Sequence, residues 1–142
     1  MFQTLYAQIG AVFMVAMGVF AFLKGNQTEQ VGAGAFLLAW LASLLVQEES
    51  NLREPQWIMF LVDLALLATF AALAWRAKRS WPVWASAVQL IVVASHIMTL
   101  MHVRASATSL YVVMNLSSYI IIGCIIVGTF WAWQERRAAG LE

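Results

Sequence analysis

The sequence predicts an all-α integral membrane protein, a compact bundle of five transmembrane helices without a separate soluble domain. Of its 142 residues, 63% are hydrophobic and only 11% are charged. A soluble domain is usually about half apolar and about a quarter charged, so this chain has too few charged side chains for a water-facing surface. The apolar residues also fall into long segments that are separated by short polar links. These observations together favour a chain that crosses a bilayer several times.

Five apolar segments reach or approach the length of about 20 residues that a helix needs to cross about 30 Å of hydrocarbon. They lie at residues 4–23, 31–46, 57–75, 81–103 and 110–133, and residues 1–142 are predicted to form one bundle. No Lys or Arg precedes the first segment, which we interpret as a retained helix rather than a signal peptide. The second segment is the shortest, and Gln30 and Gln47 are expected to extend it into the headgroup region.

The later segments carry their own start and turn signals. Trp57 begins the third segment as an interface aromatic, and Asn51 and Pro55 lie in the link before it. Pro82 suits the first turn of the fourth helix, because no backbone hydrogen bond is lost there. Since the links are short, consecutive helices are expected to be antiparallel neighbours.

The distribution of Lys and Arg predicts the orientation of the bundle. Five crossings place the termini on opposite sides, with six cationic residues on one side and two on the other. The six are Lys24, Arg76, Lys78, Arg79, Arg136 and Arg137, and the two are Arg53 and Arg104. Cytoplasmic loops carry an excess of Lys and Arg, so the N-terminus is predicted outside and the C-terminus in the cytoplasm. Trp75, Trp81, Trp131 and Trp133 are expected at the inner interface, and Trp57 at the outer one.

Several function classes are not favoured by the composition. The net charge of +1 gives no basic face for nucleic acid, and the single cysteine, Cys124, excludes a disulfide within one chain. Met98, Met101 and His102 suggest a metal or haem ligand set, but His96 faces nearly the opposite side of its helix, about 240° away from His102. We therefore predict no metal site, no cofactor and no catalytic residue.

Polar residues inside the apolar segments mark a candidate ligand- or proton-binding site. Asp63 and His96 both lie about 10 Å below the outer end of neighbouring helices, so direct contact between them is sterically reasonable. Gln89 lies seven residues before His96 and shares its helix face. Asn115 lies at nearly the same depth, on one face of the fifth helix with Tyr111 and Ser118. The predicted site residues are Asp63, His96, Asn115, Gln89, Tyr111 and Ser118.

Two interpretations of these residues remain open at this point. Buried polar groups need partners, and Asp63, His96 and Asn115 could simply fix the register of the helices. Alternatively, the residues form a site that is open to the outside, in which the histidine gains and loses a proton near physiological pH. If the predicted orientation of the helices is wrong, Asp63, His96 and Asn115 do not come together.

The second half of the chain carries a recognisable pattern over about residues 55–130, in "VDLALLATFAALAWRAKRSWPVWASAVQLIVVASHI" and "SSYIIIGCIIVGT". It resembles a group of small uncharacterised bacterial inner-membrane proteins with several helices. The matching positions are Asp63, Arg79, Trp81, Pro82, Gln89, His96, Ser118, Tyr119, Gly128 and Thr129. This chain has Ser117 where the group often has an aromatic residue. The resemblance implies that Asp63 and His96 are signature positions, and it implies no activity.

The leading functional expectation is a membrane binding or transport module for a proton-linked small solute, a cation or a lipophilic ligand. In it, Asp63 is the charge partner, His96 the titrating group and Asn115 the orienting group. The alternative is an accessory structural subunit of a larger membrane complex, and a lipid enzyme is a third possibility. The expected partners are the bilayer of a bacterial inner membrane and either further copies of the chain or a larger complex. No nucleic-acid partner is expected.

Overall fold

A computed structural model describes residues 2–49, 57–77, 79–101 and 106–141. Within these residues the chain forms five helices, α1 (Phe2–Lys24), α2 (Gln27–Glu49), α3 (Trp57–Arg76), α4 (Trp81–Leu100) and α5 (Ala107–Ala138). No strand occurs in this described part. The prediction of an all-α, five-helix chain is confirmed.

α2 and α5 extend furthest beyond their apolar segments. α2 begins at Gln27, four residues before the predicted start at residue 31, because polar residues form its first turn. There Glu29 Oε2 accepts a hydrogen bond from the backbone N–H of Asn26 (2.9 Å), a contact typical of helix starts. α5 exceeds the predicted 110–133 at both ends, and the Ser106 hydroxyl accepts from the Ser109 backbone N–H (3.1 Å) at its start. The apolar run underestimates both helices, because polar terminal turns remain helical.

Some sequence-based expectations concern residues outside the described part of the chain. They are those for Asn51, Arg53, Pro55, Lys78, His102 and Arg104. The fourth helix ends at Leu100 with Met101 as its C-cap, short of the predicted end at residue 103, which itself lies outside the described part.

The helices form a closed ring in chain order. Each helix packs against the next one along the chain, most extensively α3 against α4 and α4 against α5. α5 returns to pack against α1, and α2 also contacts α5 across the ring. Short links explain this order, since they bring consecutive helices side by side.

The interior and the outer surface of the ring are both apolar. Buried side chains from all five helices fill the interior, among them Met17, Ala33, Phe70, Ala85 and Ile121. Large apolar side chains also cover the outside, such as Leu38, Leu61, Leu90 and Val127, which are more than half exposed. Within the described residues, four helices are long and apolar enough to cross a membrane. The part of α1 in which every side chain is described, Gln8–Lys24, is an apolar helix of shorter length.

Trp81 lies inside the bundle rather than on its lipid-facing rim. Only 4% of its surface is exposed, whereas Trp75 is 91% exposed and Trp131 is 62% exposed. Its ring fits between Gly32 of α2 and Gly128 of α5, where a Cβ atom on either glycine would overlap indole atoms. The expectation that Trp81 belongs to an interfacial aromatic belt is therefore wrong, because two glycines leave room for its ring between the helices.

Candidate functional site

Asp63 of α3 and His96 of α4 are in direct contact. His96 Nε2 and Asp63 Oδ2 are hydrogen-bonded over 2.6 Å, and the two residues are 33 positions apart in the chain. The contact fixes the orientation of the ring, and an ionised carboxylate, which offers only acceptors, would receive a proton from Nε2. The His96 side chain is 6% exposed and that of Asp63 is 20% exposed. The imidazole is thus nearly buried, whereas the carboxylate is partly exposed.

Gln89 completes this cluster from one face of α4. Its side-chain Nε2 donates to both Asp63 Oδ1 and the backbone carbonyl of Asp63, each at 3.1 Å. Gln89 is itself 2% exposed. Both carboxylate oxygens of Asp63 therefore accept a hydrogen bond from α4, and the carboxylate is held in one position.

An aromatic ring of α3 covers one edge of the histidine. Phe60 meets His96 edge to face, with 6.1 Å between ring centres. Phe60 also meets Trp57 in the same manner, at 6.3 Å. On α4, the Ser95 hydroxyl donates to the Ile91 carbonyl of its own helix (2.9 Å) and takes no part in the cluster. Among the described residues, none is hydrogen-bonded to the second ring nitrogen of His96, Nδ1, which leaves it open to a proton or a ligand group.

The described contacts of this cluster do not include the residues predicted on α5. Asn115 is exposed, and the Ser118 hydroxyl donates to the Met114 carbonyl of its own helix (3.0 Å). The side chain of Tyr111 lies outside the described part of the structure. The described hydrogen bonds of Asp63 run to α4, which packs against both α3 and α5.

The sequence analysis missed a second polar cluster, centred on Glu29 at the start of α2. Glu29 is fully buried, with 0% of its surface exposed. Its Oε1 atom accepts from Trp81 Nε1 at 3.2 Å and lies 3.3 Å from Arg79 Nε. Arg79 Nη2 also donates to Glu135 of α5 at 3.2 Å. One guanidinium therefore connects the link between α3 and α4 with both α2 and α5. In the sequence, Glu29 lies in the polar link between the first two apolar segments, where nothing distinguishes it from its polar neighbours.

A local signal in the sequence would have found Glu29. Asn26 and Glu29 have the spacing of a capping box, in which a residue just before the helix pairs with a carboxylate three residues later. That signal places Glu29 in the first helical turn. Its burial depends on Trp81 and Arg79, more than 45 residues further along the chain, and no local pattern indicates that contact.

Neither cluster has the composition of a metal centre. Within the described residues, no three His, Cys, Asp or Glu side chains come together in a way that could hold a metal ion. The Asp63 cluster instead offers two titratable groups in contact, an amide that holds one of them, and an open imidazole nitrogen. Chemically, it can hold, accept or release a proton.

Comparisons with protein-family models, curated proteins and solved structures found no match for this chain. The resemblance noted from the sequence therefore stays an expectation, and the candidate site is argued from its own geometry.

Proposed function

We propose that this protein is a small integral membrane module that binds a proton at the Asp63–His96 pair. The pair couples that proton to the binding or movement of a small solute, a cation or a lipophilic ligand. The observation that carries the proposal is the 2.6 Å contact between two titratable side chains within two apolar helices. Ionisable groups at such positions are costly, so they are retained chiefly where they take part in function.

The outer surface of the bundle supports the membrane setting. Large apolar side chains are exposed along every helix, and in water a continuous surface of this kind leads to aggregation. The charged side chains at the end of α1 and the start of α4 include Lys24 and Arg79, and we assign that end to the cytoplasm by the positive-inside rule. The N-terminus is then outside, the site lies in the outer half of the membrane, and the setting is a bacterial inner membrane.

The geometry gives each residue of the site a role. Gln89 holds Asp63 by one carboxylate oxygen, and His96 donates to the other. A proton that arrives at Nδ1 turns the imidazole into a cation, which the adjacent carboxylate stabilises. A proton can leave through Asp63, whose side chain is the more exposed of the two. Access for the ligand is therefore expected from the Asp63 side of the α3–α4 pair.

The proton-binding part of the proposal is tested by nuclear magnetic resonance. The chain has two histidines, so a ¹⁵N-histidine sample in which His102→Gln removes one of them reports on His96 alone. On acidification we expect the two ring nitrogens to shift, with Nε2 protonated throughout. Asp63→Asn should alter both the shifts and the tautomer. Ring signals that stay constant with pH and are unchanged in Asp63→Asn would overturn the proposal.

The coupling part is tested in proteoliposomes that contain a trapped pH-sensitive dye. Under an imposed membrane potential, we expect proton flux for the intact chain and its loss in Asp63→Asn and His96→Gln. Ser86→Ala is the matched control, since its hydroxyl is bonded to the Pro82 carbonyl of the same helix α4. Equal flux in all four proteins, each shown to be folded and inserted, would contradict the coupling.

The second candidate function is an accessory structural subunit of a larger membrane complex. The observation that favours it is that Gln89 also donates to the Asp63 backbone carbonyl, so the cluster joins α3 and α4 firmly whatever its protonation. Purification in a gentle detergent distinguishes the two functions. Stoichiometric co-purification of a larger membrane complex supports the structural role, whereas a homo-oligomer with pH-dependent flux supports the transport role.

A further inference from the structure

Two cations meet on one indole ring at the end of the bundle that holds Lys24. Lys24 Nζ, from the last turn of α1, lies 5.1 Å from the centre of the Trp133 ring. Arg137 Cζ, from the last turn of α5, lies 5.4 Å from the same centre. We call Lys24, Trp133 and Arg137 the cationic clamp. Cations near an aromatic face are attracted to it, but two like charges at one ring also repel each other.

Arg136 holds the two halves of the clamp together. Its Nη1 donates to the Asn26 side-chain oxygen at 3.0 Å and to the Gly25 carbonyl at 3.4 Å. Its Nη2 donates to the Lys24 carbonyl. The guanidinium of α5 thus binds the carbonyl end of α1, where the helix dipole favours a cation. Lys24 and Arg137 are neighbours because the fold places them there.

The described carboxylates at this end of the bundle are engaged elsewhere. Glu29 and Glu135 both bind Arg79, on the side of the bundle where α4 begins. Among the described residues, no carboxylate forms an ion pair with Lys24 or Arg137. The two cations of the clamp therefore share an aromatic ring but form no ion pair with a described carboxylate, and a ligand of negative charge would relieve their repulsion.

We infer that the cationic clamp binds the phosphate group of an anionic phospholipid. The charge, the indole and the position at a helix end match what lipid headgroups meet at the cytoplasmic face of a membrane. Apolar surface continues from the clamp along the helices: Phe130 packs edge to face on Trp133 at 6.3 Å and is 49% exposed, and Leu23 is 71% exposed. This surface suits the acyl chain of the same lipid. The inference rests on the membrane setting of the proposed function and is independent of the Asp63–His96 pair.

Lipid retention in native mass spectrometry tests this inference on the full chain in nanodiscs of mixed phosphatidylglycerol and phosphatidylcholine. We expect one phosphatidylglycerol to be retained preferentially, and Lys24→Gln and Arg137→Gln each to reduce its retention about fivefold or more, as expected for loss of about 1 kcal/mol of attraction per cation. Lys24→Arg should restore retention. Arg76→Gln, which removes an exposed charge from the same end but not from Trp133, should have less than a twofold effect.

Three outcomes would overturn the inference. The first is equal loss in Arg76→Gln, which would show only diffuse attraction to the cationic end. The second is equal retention of the two lipids. The third is displacement of the lipid by millimolar inorganic phosphate, which would identify free phosphate as the ligand. Proton flux through the Asp63–His96 pair is measured in the same variants, so failure of the clamp and failure of the proposed function are distinguishable.

Discussion

Asp63 Oδ2 lies 2.6 Å from His96 Nε2, and Gln89 Nε2 lies 3.1 Å from the other carboxylate oxygen of Asp63. The carboxylate of α3 is thus held by two donors that are seven residues apart on α4. Two turns of α4 carry donors to the same group, since side chains seven residues apart lie on one helix face. The arrangement fixes the register of α3 against α4. It also keeps two titratable residues, Asp63 and His96, between these helices.

Gln89→Leu should weaken this register. The substitution keeps most of the side-chain volume but removes the donor to Asp63 Oδ1, and a hydrogen bond between membrane helices contributes about 0.5–2 kcal/mol. We expect a decrease of that size in the free energy of unfolding, measured by reversible unfolding in mixed micelles. Ser86→Ala should change it by less, because the Ser86 hydroxyl bonds within its own helix. An equal effect of the two substitutions would show that Gln89 does not hold Asp63 in the membrane.

The buried Glu29–Arg79 pair should couple more strongly than the exposed Arg79–Glu135 pair. Glu29 is fully buried, whereas the Glu135 side chain is 65% exposed. Two double-mutant cycles that share Arg79→Met measure both couplings, one with Glu29→Gln and the other with Glu135→Gln. For the exposed pair we expect at most about 1 kcal/mol, and for the buried pair a clearly larger value. If the exposed pair couples as strongly, burial does not control the energetics of this cluster.

A methyl group on Gly128 should disrupt the packing of Trp81. An alanine Cβ there would overlap the indole ring, and overpacking of this kind costs about 1–3 kcal/mol. Gly123 of the same helix is the matched control, since a Cβ atom there would meet nothing within 4 Å. Gly123→Ala should therefore be neutral or stabilising, and the contrast should appear in the thermal unfolding of the purified protein. A destabilised Gly123→Ala together with an unchanged Gly128→Ala would contradict this packing.

Chemical labelling at the two ends of α3 tests the orientation assigned to the bundle. Trp57 and Trp75 are both exposed and lie near its opposite ends, and Cys124 is the one cysteine of the chain. In a Cys124→Ser background, we expect Trp57→Cys to react with a membrane-impermeant maleimide on intact cells. Trp75→Cys should react only after the membrane is opened. The reverse pattern would place the cationic end outside and would move the proposed site to the inner half of the membrane.

The sequence analysis succeeded where a single local property decides the structure. Long apolar runs predicted five helices, since in lipid the backbone must satisfy its hydrogen bonds within each helix. The depth of Asp63 and His96 within consecutive helices made a contact between them sterically reasonable, and that contact is present. Depth along a helix does not determine which neighbouring helix a side chain faces, so the same reasoning could not assign a partner to Asn115.

By itself, the sequence determined the number of helices, their approximate bounds and the two titratable residues inside the third and fourth helices. Only the tertiary structure decided that these two residues meet, through the packing of α3 against α4. Only the tertiary structure also showed that Trp81 fits between two glycines and covers Glu29. The physical reason is that burial of a polar group depends on partners from distant parts of the chain. Hydrophobicity along the chain reports the solvent around a helix but not the neighbours against which it packs.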